Sequence, residues 1–419
     1  MENKMNGKKL HLRATRASNQ DHIKISTWEG HHETLSQYMI KPFIAKEVNH
    51  KCQQIISFLN ASSRKYGNGN SQKKLSDMGE NLADTLLTPE QKTLLMSTSA
   101  HHLILELDDY LVQIPWEILH IEDFFLCERF SIGRRVETRQ KLVKYKNRPR
   151  KYPLRMWILT PNEKNLLNNL KEGDIVFENI NINGIINKIL VASLNTDVRT
   201  EQLKEKIRNY DIVHFAGHSL YNPKEPDQSG LKFGNEFFRA SDIYNMAGGR
   251  PLPSIVFANS CQSARTDEWD ENIFGLANAF MFSGVNHYIG TFGDIPDEIS
   301  SQLAVSFYQN LASGQTIGQS LKSARLDIMN SHNSLCWANY LMYGDPAEVY
   351  VPDSSLETDR ISHHDSKPDK HLQAKHSQPQ TPSLHIRANG HETKTKDFEH
   401  QQSIQNNQTI SKKNWAVLL

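Results

Sequence analysis

Two side chains able to do nucleophilic chemistry stand where short apolar runs stop. His218 follows Ile212-Val213-His214-Phe215-Ala216-Gly217, and Cys261 follows Ser254-Ile255-Val256-Phe257-Ala258-Asn259-Ser260. A thiol with a pKa of about 8.5 is only a few per cent thiolate at neutral pH, so it needs a base or a cationic neighbour. Imidazole is the side chain best matched to taking that proton and returning it near pH 7. Alone, Cys261 could equally be a small buried apolar residue, because free cysteines are among the most buried side chains. The upstream His214 forms an H-x-x-x-H pair with His218, a metal-ligand spacing on a helix. On a strand, four residues advance about 13 Å, too far for one metal, so His214 is expected to be a packed strand histidine.

The elements that must position this pair follow from periodicity. Both runs are rich in β-branched and aromatic residues and end in polar or glycine punctuation, which predicts buried parallel strands. Further strands are expected at 102–107, near 130–134, at 154–161 running into a loop and at 286–291, with a further apolar segment at 188–192 and helices at 200–207, 274–281, 299–312 and 316–329. Thr200 is read as the N-cap of the first of these helices. Alternating strands and helices imply an α/β fold with a parallel sheet covered on both faces, and ligand chemistry at strand C-termini. Within 1–80 the sequence predicts a helix from Phe43 to Leu59 and a loop at 65–70. The expected boundaries are an N-terminal extension 1–79, a first α/β portion 80–133, a basic connector 134–153, the main lobe 154–352 and a disordered polar tail 353–419, which is too poor in apolar residues to offset its ordering entropy.

Composition narrows the function. Forty-eight basic residues against 47 acidic leave a net charge of +1, so nothing argues for nucleic acid or a membrane surface as partner. The polar start Met1-Glu2-Asn3-Lys4 argues against a signal peptide, and no apolar run approaches the roughly 18 residues needed to span a bilayer. Four scattered cysteines fit a reducing compartment rather than a disulfide framework, so a cytoplasmic location is expected. No cofactor and no metal site is expected. The histidines of the tail, among them His363, His364 and His371, imply weak metal affinity at most.

The motifs together resemble the CHAT domain, a caspase-like peptidase domain of clan CD related to caspases and separases. They are Gly217-His218, Asn259-Ser260-Cys261-Gln262-Ser263-Ala264, Ile114-Pro115-Trp116-Glu117-Ile118-Leu119, Gly290-Thr291-Phe292 with Pro296-Asp297-Glu298, Phe307-Tyr308, and Gly344-Asp345-Pro346. The His-before-Cys order also fits the roughly 50-residue separation of caspase sequences. The resemblance covers roughly 80–352. It implies a caspase-like three-layer α/β/α sandwich with a mostly parallel sheet, preceded by a smaller degenerate α/β lobe. It also implies a cysteine endopeptidase with His218 and Cys261 as the catalytic dyad, and backbone N–H groups of Ser219 and Cys261 as the oxyanion hole. Relatives make limited cuts in partner proteins in bacterial signalling and defence against phage. Many carry tetratricopeptide repeats, which this chain lacks, so activation is expected from a partner protein or from self-association.

Substrate-binding candidates are Asn259, on the same strand face as Cys261, and the acids Asp211, Asp294 and Asp297. An acid lining the pocket would select Lys or Arg at P1, with Asp297 the favoured candidate; the bland reading makes each acid a cap or a solvated loop residue. The connector is a solvated linker, a docking strip or a self-cleavage site. One departure from the family pattern is Ser219 where glycine usually follows the histidine. It favours a rival reading, a catalytically idle interaction scaffold, while the retained thiol and imidazole oppose it.

Overall fold

Strand formation in the first third follows strict alternation. In β1 (Lys9–Arg16), Leu10, Leu12 and Ala14 point into the core while Lys9, His11 and Arg13 point out. A computed structural model of the chain describes residues 8–17, 21–30, 37–63, 69–137, 148–161, 167–182, 186–222, 224–260, 263, 275–332 and 334–351. The expected tail 353–419 lies outside the described residues, which all fall within one compact unit, Met1–Asp365. After β1 come β2 (His22–Glu29), β3 (Tyr38–Pro42), α1 (Ala45–Ser63), α2 (Gly69–Leu86) and α3 (Pro89–Ser97). Thr88 and Gln91 close a capping box over α3, with Pro89 in its first turn. β4 (His102–Asp108), the short pair β5 (His120–Ile121) and β6 (Phe124–Phe125), α4 (Leu126–Arg129) and β7 (Ser131–Glu137) complete this half.

The second half runs β8 (Leu154–Leu159), α5 (Leu167–Ile182), β9 (Leu190–Asn195), α6 (Thr200–Lys206) and β10 (Ile212–Ala216). A hairpin of β11 (Ser219–Leu220), β12 (Gly230–Phe233) and β13 (Glu236–Arg239) follows, then α7 (Ala240–Asn245), β14 (Ile255–Asn259) and α8 (Leu276–Phe282). Last come β15 (His287–Thr291), α9 (Asp297–Ala312), α10 (Ile317–Ser331) and β16 (Tyr340–Tyr343). The two halves share one sheet of order β3-β2-β1-β4-β7-β16-β15-β14-β10-β8-β9 among the described residues. Every residue of β10 and β14 is buried, as two-sided cover requires. Phe257 of β14 meets Phe307 and Tyr308 of α9 on one face, while Phe280 of α8 bridges Phe238 and Tyr288 on the other. This is the caspase-like α/β/α arrangement, with the N-terminal half continuing the same sheet. Its strands had not been expected before residue 102, and the expected boundary at 79/80 falls inside α2.

Charged residues depart most from expectation. Arg134 ends the expected strand and opens the expected solvated connector, but β7 runs on to Glu137 and the Arg134 side chain is 1% exposed. Its guanidinium grips Glu117 through Nε at 2.8 Å and through Nη2, and donates to the Val112 and Ile114 carbonyls. Thus Ile114-Pro115-Trp116-Glu117 is bolted to the sheet by a fully engaged buried ion pair. Beside it, β7 and β16 meet where the Arg134 carbonyl accepts from the Gly344 N–H at 3.0 Å. Gly344 sits at φ +121, open to glycine but strained for other residues. Arg148, at the far end of the connector, docks on Asp211 at 2.6 Å. Thr200 does not cap α6. Arg199 is the N-cap, and the Thr200 hydroxyl donates to Glu236 at 2.6 Å.

Two outcomes follow for stability. Replacing Glu117 by Ala leaves a buried guanidinium unpaired and is expected to cost about 3–5 kcal/mol in a urea melt, more than Glu117→Met combined with Arg134→Met. His102 is fully buried, neither ring nitrogen has a partner among the described residues, and burial pushes its imidazole down to about 4. Burial also holds His287 below its ordinary value. The unfolded chain takes up these protons first, so stability should be level above pH 6.5 and fall between pH 6.5 and 4. For His102 that loss is about 3 kcal/mol, and a His102→Gln chain should show a correspondingly shallower acid slope in melts.

Candidate active site

Strand order reverses between β8 and β10: the chain steps from β8 out to β9, then crosses back to β10 on the other side. Crevices for ligands form at the C-terminal ends of strands at such a switch point. His218 emerges there, exposed, two residues past the end of β10. Gly217 permits the exit, because a Cβ on it would meet the Phe215 ring at 2.7 Å and Pro161 at 3.3 Å. The His218 carbonyl accepts from the Lys232 N–H at 2.9 Å, anchoring the hairpin. Ser219 pairs with Leu231 at the next, non-hydrogen-bonded position, which turns its N–H away from β12.

β14 runs beside β10 in parallel register, with Ala216 level with Asn259. Cys261 lies outside the described residues, but Ser260 before it and Ser263 after it are held by hydrogen bonds. The Ser263 N–H donates to the Ser260 carbonyl at 3.2 Å, and Ser263 Oγ donates to the Ala258 carbonyl at 2.9 Å. From β15, Thr291 Oγ1 reaches the Ser260 carbonyl at 2.8 Å, the Thr291 N–H reaches Ser263 Oγ at 3.0 Å, and the Tyr288 hydroxyl reaches the Ser263 carbonyl at 2.9 Å. Ser260 and Ser263 are therefore held by the neighbouring strand as well as by their own.

Of the four substrate-binding candidates, two take framework positions. Asp211 precedes β10 at its N-terminal end, about 20 Å of extended chain from His218 at ~3.3 Å per residue. Its carboxylate accepts from Arg148 and from the Arg155 N–H at 2.8 Å, so it locks the base of the sheet and does not line the crevice. Asn259 is 3% exposed; its amide donates to Glu172 at 2.6 Å and to the Ser300 carbonyl at 3.2 Å, and its oxygen accepts from Tyr340 at 2.7 Å. Enclosed in this way, it supports the strand rather than touching substrate. Asp294 is partly exposed in the loop after β15. Asp297 opens α9, and its side chain lies outside the described residues.

Sequence reasoning missed two contributors. Asn60 of α1 crosses to the loop after β15, where its Oδ1 accepts from the Asp294 N–H at 2.8 Å. Glu172 of α5 is buried beneath the strand ends and accepts from His214, Asn259 and Ser300. His214 is the packed strand histidine expected, its other nitrogen meeting the Tyr308 hydroxyl at 3.1 Å. Burial pushes the Cys52 and Cys127 thiols up to about 12, and Cys336 is also buried. Among the described residues, no group of three His, Cys, Asp or Glu side chains could hold a metal ion, and no helix is long and apolar enough to cross a membrane.

Residues 76–345 match the CHAT domain model. The chain belongs to the CHAT domain family. Comparison with curated proteins gave no match. Among solved structures, the CHAT chain is similar to the separase–securin complex of Saccharomyces cerevisiae, with a TM-score of 0.54 and 12% identity over 81% of this chain. It spans 30% of that separase chain, so the likeness is one of fold. The Arg-specific cysteine proteinase gingipain R is similar at a TM-score of 0.46 and 10% identity, over 83% of this chain and 79% of that one.

The bonds from Thr291 lead to a direct test. Thr291→Val keeps the shape but removes the hydroxyl, leaving the buried Ser260 carbonyl without that donor, and is expected to cost about 1–2 kcal/mol in a denaturant melt. Amide exchange should quicken at Ser263 while remaining unchanged in β1.

Proposed function

We propose that this CHAT domain is a cysteine endopeptidase in which Cys261 is the nucleophile and His218 the general base. The observation carrying this reading is the level pairing of Ala216 with Asn259. Neighbouring strands run about 4.8 Å apart, and the imidazole and the thiol each follow two residues beyond that level pair. In this mechanism His218 takes the thiol proton as Sγ attacks the scissile carbonyl. The N–H groups of Ser219 and Cys261 receive the oxyanion. Collapse of the adduct expels the amine, which takes the proton back from His218, and leaves a thioester. Water, deprotonated by the same imidazole, then releases the acid product and the free thiol.

Substrates are proposed to be proteins cut at few positions after Lys or Arg, with Asp297, and Asp294 beside it, supplying the countercharge. A cytoplasmic role in signalling or anti-phage defence, switched on by a partner protein or by self-association, accords with the family. The basic sequence between Glu137 and Arg148, with Arg139, Lys141, Lys144 and Lys146, offers sites for self-cleavage.

A fluorogenic peptide panel should show cleavage after Lys and Arg, abolished by Cys261→Ala and lowered about 10²–10⁴-fold by His218→Ala. Cleavage only after Asp would overturn the specificity. Iodoacetamide should modify Cys261 far faster than Cys52, Cys127 or Cys336, and the advantage should vanish in His218→Ala. Equal rates in the native chain would leave only the scaffold reading.

A further inference from the structure

We propose that Glu172 is a positioning residue for the Cys261–His218 pair, clamping the strands that deliver the two groups to one alignment. This inference rests on the peptidase reading. Glu172 is 3% exposed, and a carboxylate buried so deeply is tolerated only when donors surround it. Three do, each from a different element. His214 Nε2 of β10 lies 3.1 Å from Oε1, Asn259 Nδ2 of β14 lies 2.6 Å from the same oxygen, and Ser300 Oγ of α9 lies 3.0 Å from Oε2. One oxygen therefore joins the His218 strand to the Cys261 strand. Facing a carboxylate, His214 Nε2 is assigned as the donor to Glu172, and its Nδ1 lies 3.1 Å from the Tyr308 hydroxyl, which burial keeps protonated.

Geometry links the clamp to the crevice. Strand side chains alternate, so His214 shares its face with Ala216, and Asn259 shares its face with Phe257. Both residues thus lie on the side covered by α5 and α9, Asn259 at the level at which the two strands end and His214 one pleat below it. A slide of β14 along β10 would stretch the bonds from Asn259 and His214 in opposite directions. Misplacement of reacting groups by about 1 Å can cost on the order of 10²-fold in rate, so an alignment device at this position bears on chemistry and not on binding.

The test uses the full-length chain, with iodoacetamide as the probe of Cys261 and a Lys or Arg fluorogenic peptide as the probe of turnover. Glu172→Gln preserves the pattern, since its amide oxygen can accept from His214 and Asn259 while its NH₂ donates to Ser300 Oγ. It should stay within about 3-fold of the native chain in both assays. Glu172→Ala and Asn259→Ala, confirmed folded by circular dichroism below their melting transitions, should slow alkylation and kcat at least 10-fold with KM unchanged. Should Glu172→Ala fail to fold, Asn259→Ala decides the matter. The inference is overturned if the folded Ala variants react at the native rate, if only KM changes, or if Glu172→Gln is as impaired as Glu172→Ala. A native chain whose Cys261 has no advantage over the other cysteines overturns the peptidase reading itself, and this inference with it.

Discussion

Register between β10 and β14 is the constraint on which the crevice depends. Backbone ladders alone permit slippage, but a shift of one residue would exchange the two faces of a strand. In β10 that would drive His214 out of its pocket and replace it with Val213 or Phe215, whose side chains cannot meet Glu172. In β14 it would remove Asn259 from both Glu172 and Tyr340. Polar groups buried among aromatic rings thus specify what apolar packing leaves loosely determined. Phe257, Phe307 and Tyr308 fill the space around them and exclude the water that would otherwise compete.

The second organising feature is the seam between the halves. β16 is antiparallel to β15 and parallel to β7, so it belongs to both directions of the sheet. Around it the Gly344-Asp345-Pro346 turn gathers distant chain. Burial works against ionisation of Asp345, but Lys9, the Ala347 N–H and Arg135 hold its carboxyl below the usual range. Asn60 adds a link from the first helix to the loop after β15. The N-terminal segment, which precedes the stretch matching the family, is therefore joined to the crevice by a hydrogen bond and by a shared sheet.

How far the sequence could be read depended on the range of the interaction. β10 and β14 were legible because buried parallel strands are written as unbroken apolar runs, and α9 and α10 because their apolar residues recur at helical spacing. β1 and β2 carry alternating apolar residues too, but short runs studded with Lys, His and Arg did not stand out from loop. Charge misled most. Arg134, Arg148 and Asp211 read as solvated because nothing local names their partners, which come from Glu117 and from each other across folded chain. Asn60 and Glu172 carry no local signal at all; their meaning exists only once α1 and α5 are laid against the sheet. Asn259 reads from the sequence as a pocket residue, but its burial and its bonds to Glu172 and Tyr340 make it a strut.

The interlocking of β7 with β16 has a consequence for the integrity of the molecule. Both strands are central, flanked by β4 on one side and β15 on the other, and the Arg134 carbonyl is bonded to the Gly344 N–H. Scission of the backbone between Glu137 and Arg148 would therefore yield two polypeptides that remain a single particle. They would travel together through a sizing column and separate only in detergent, so a nicked form could persist as a durable heterodimer of its own halves.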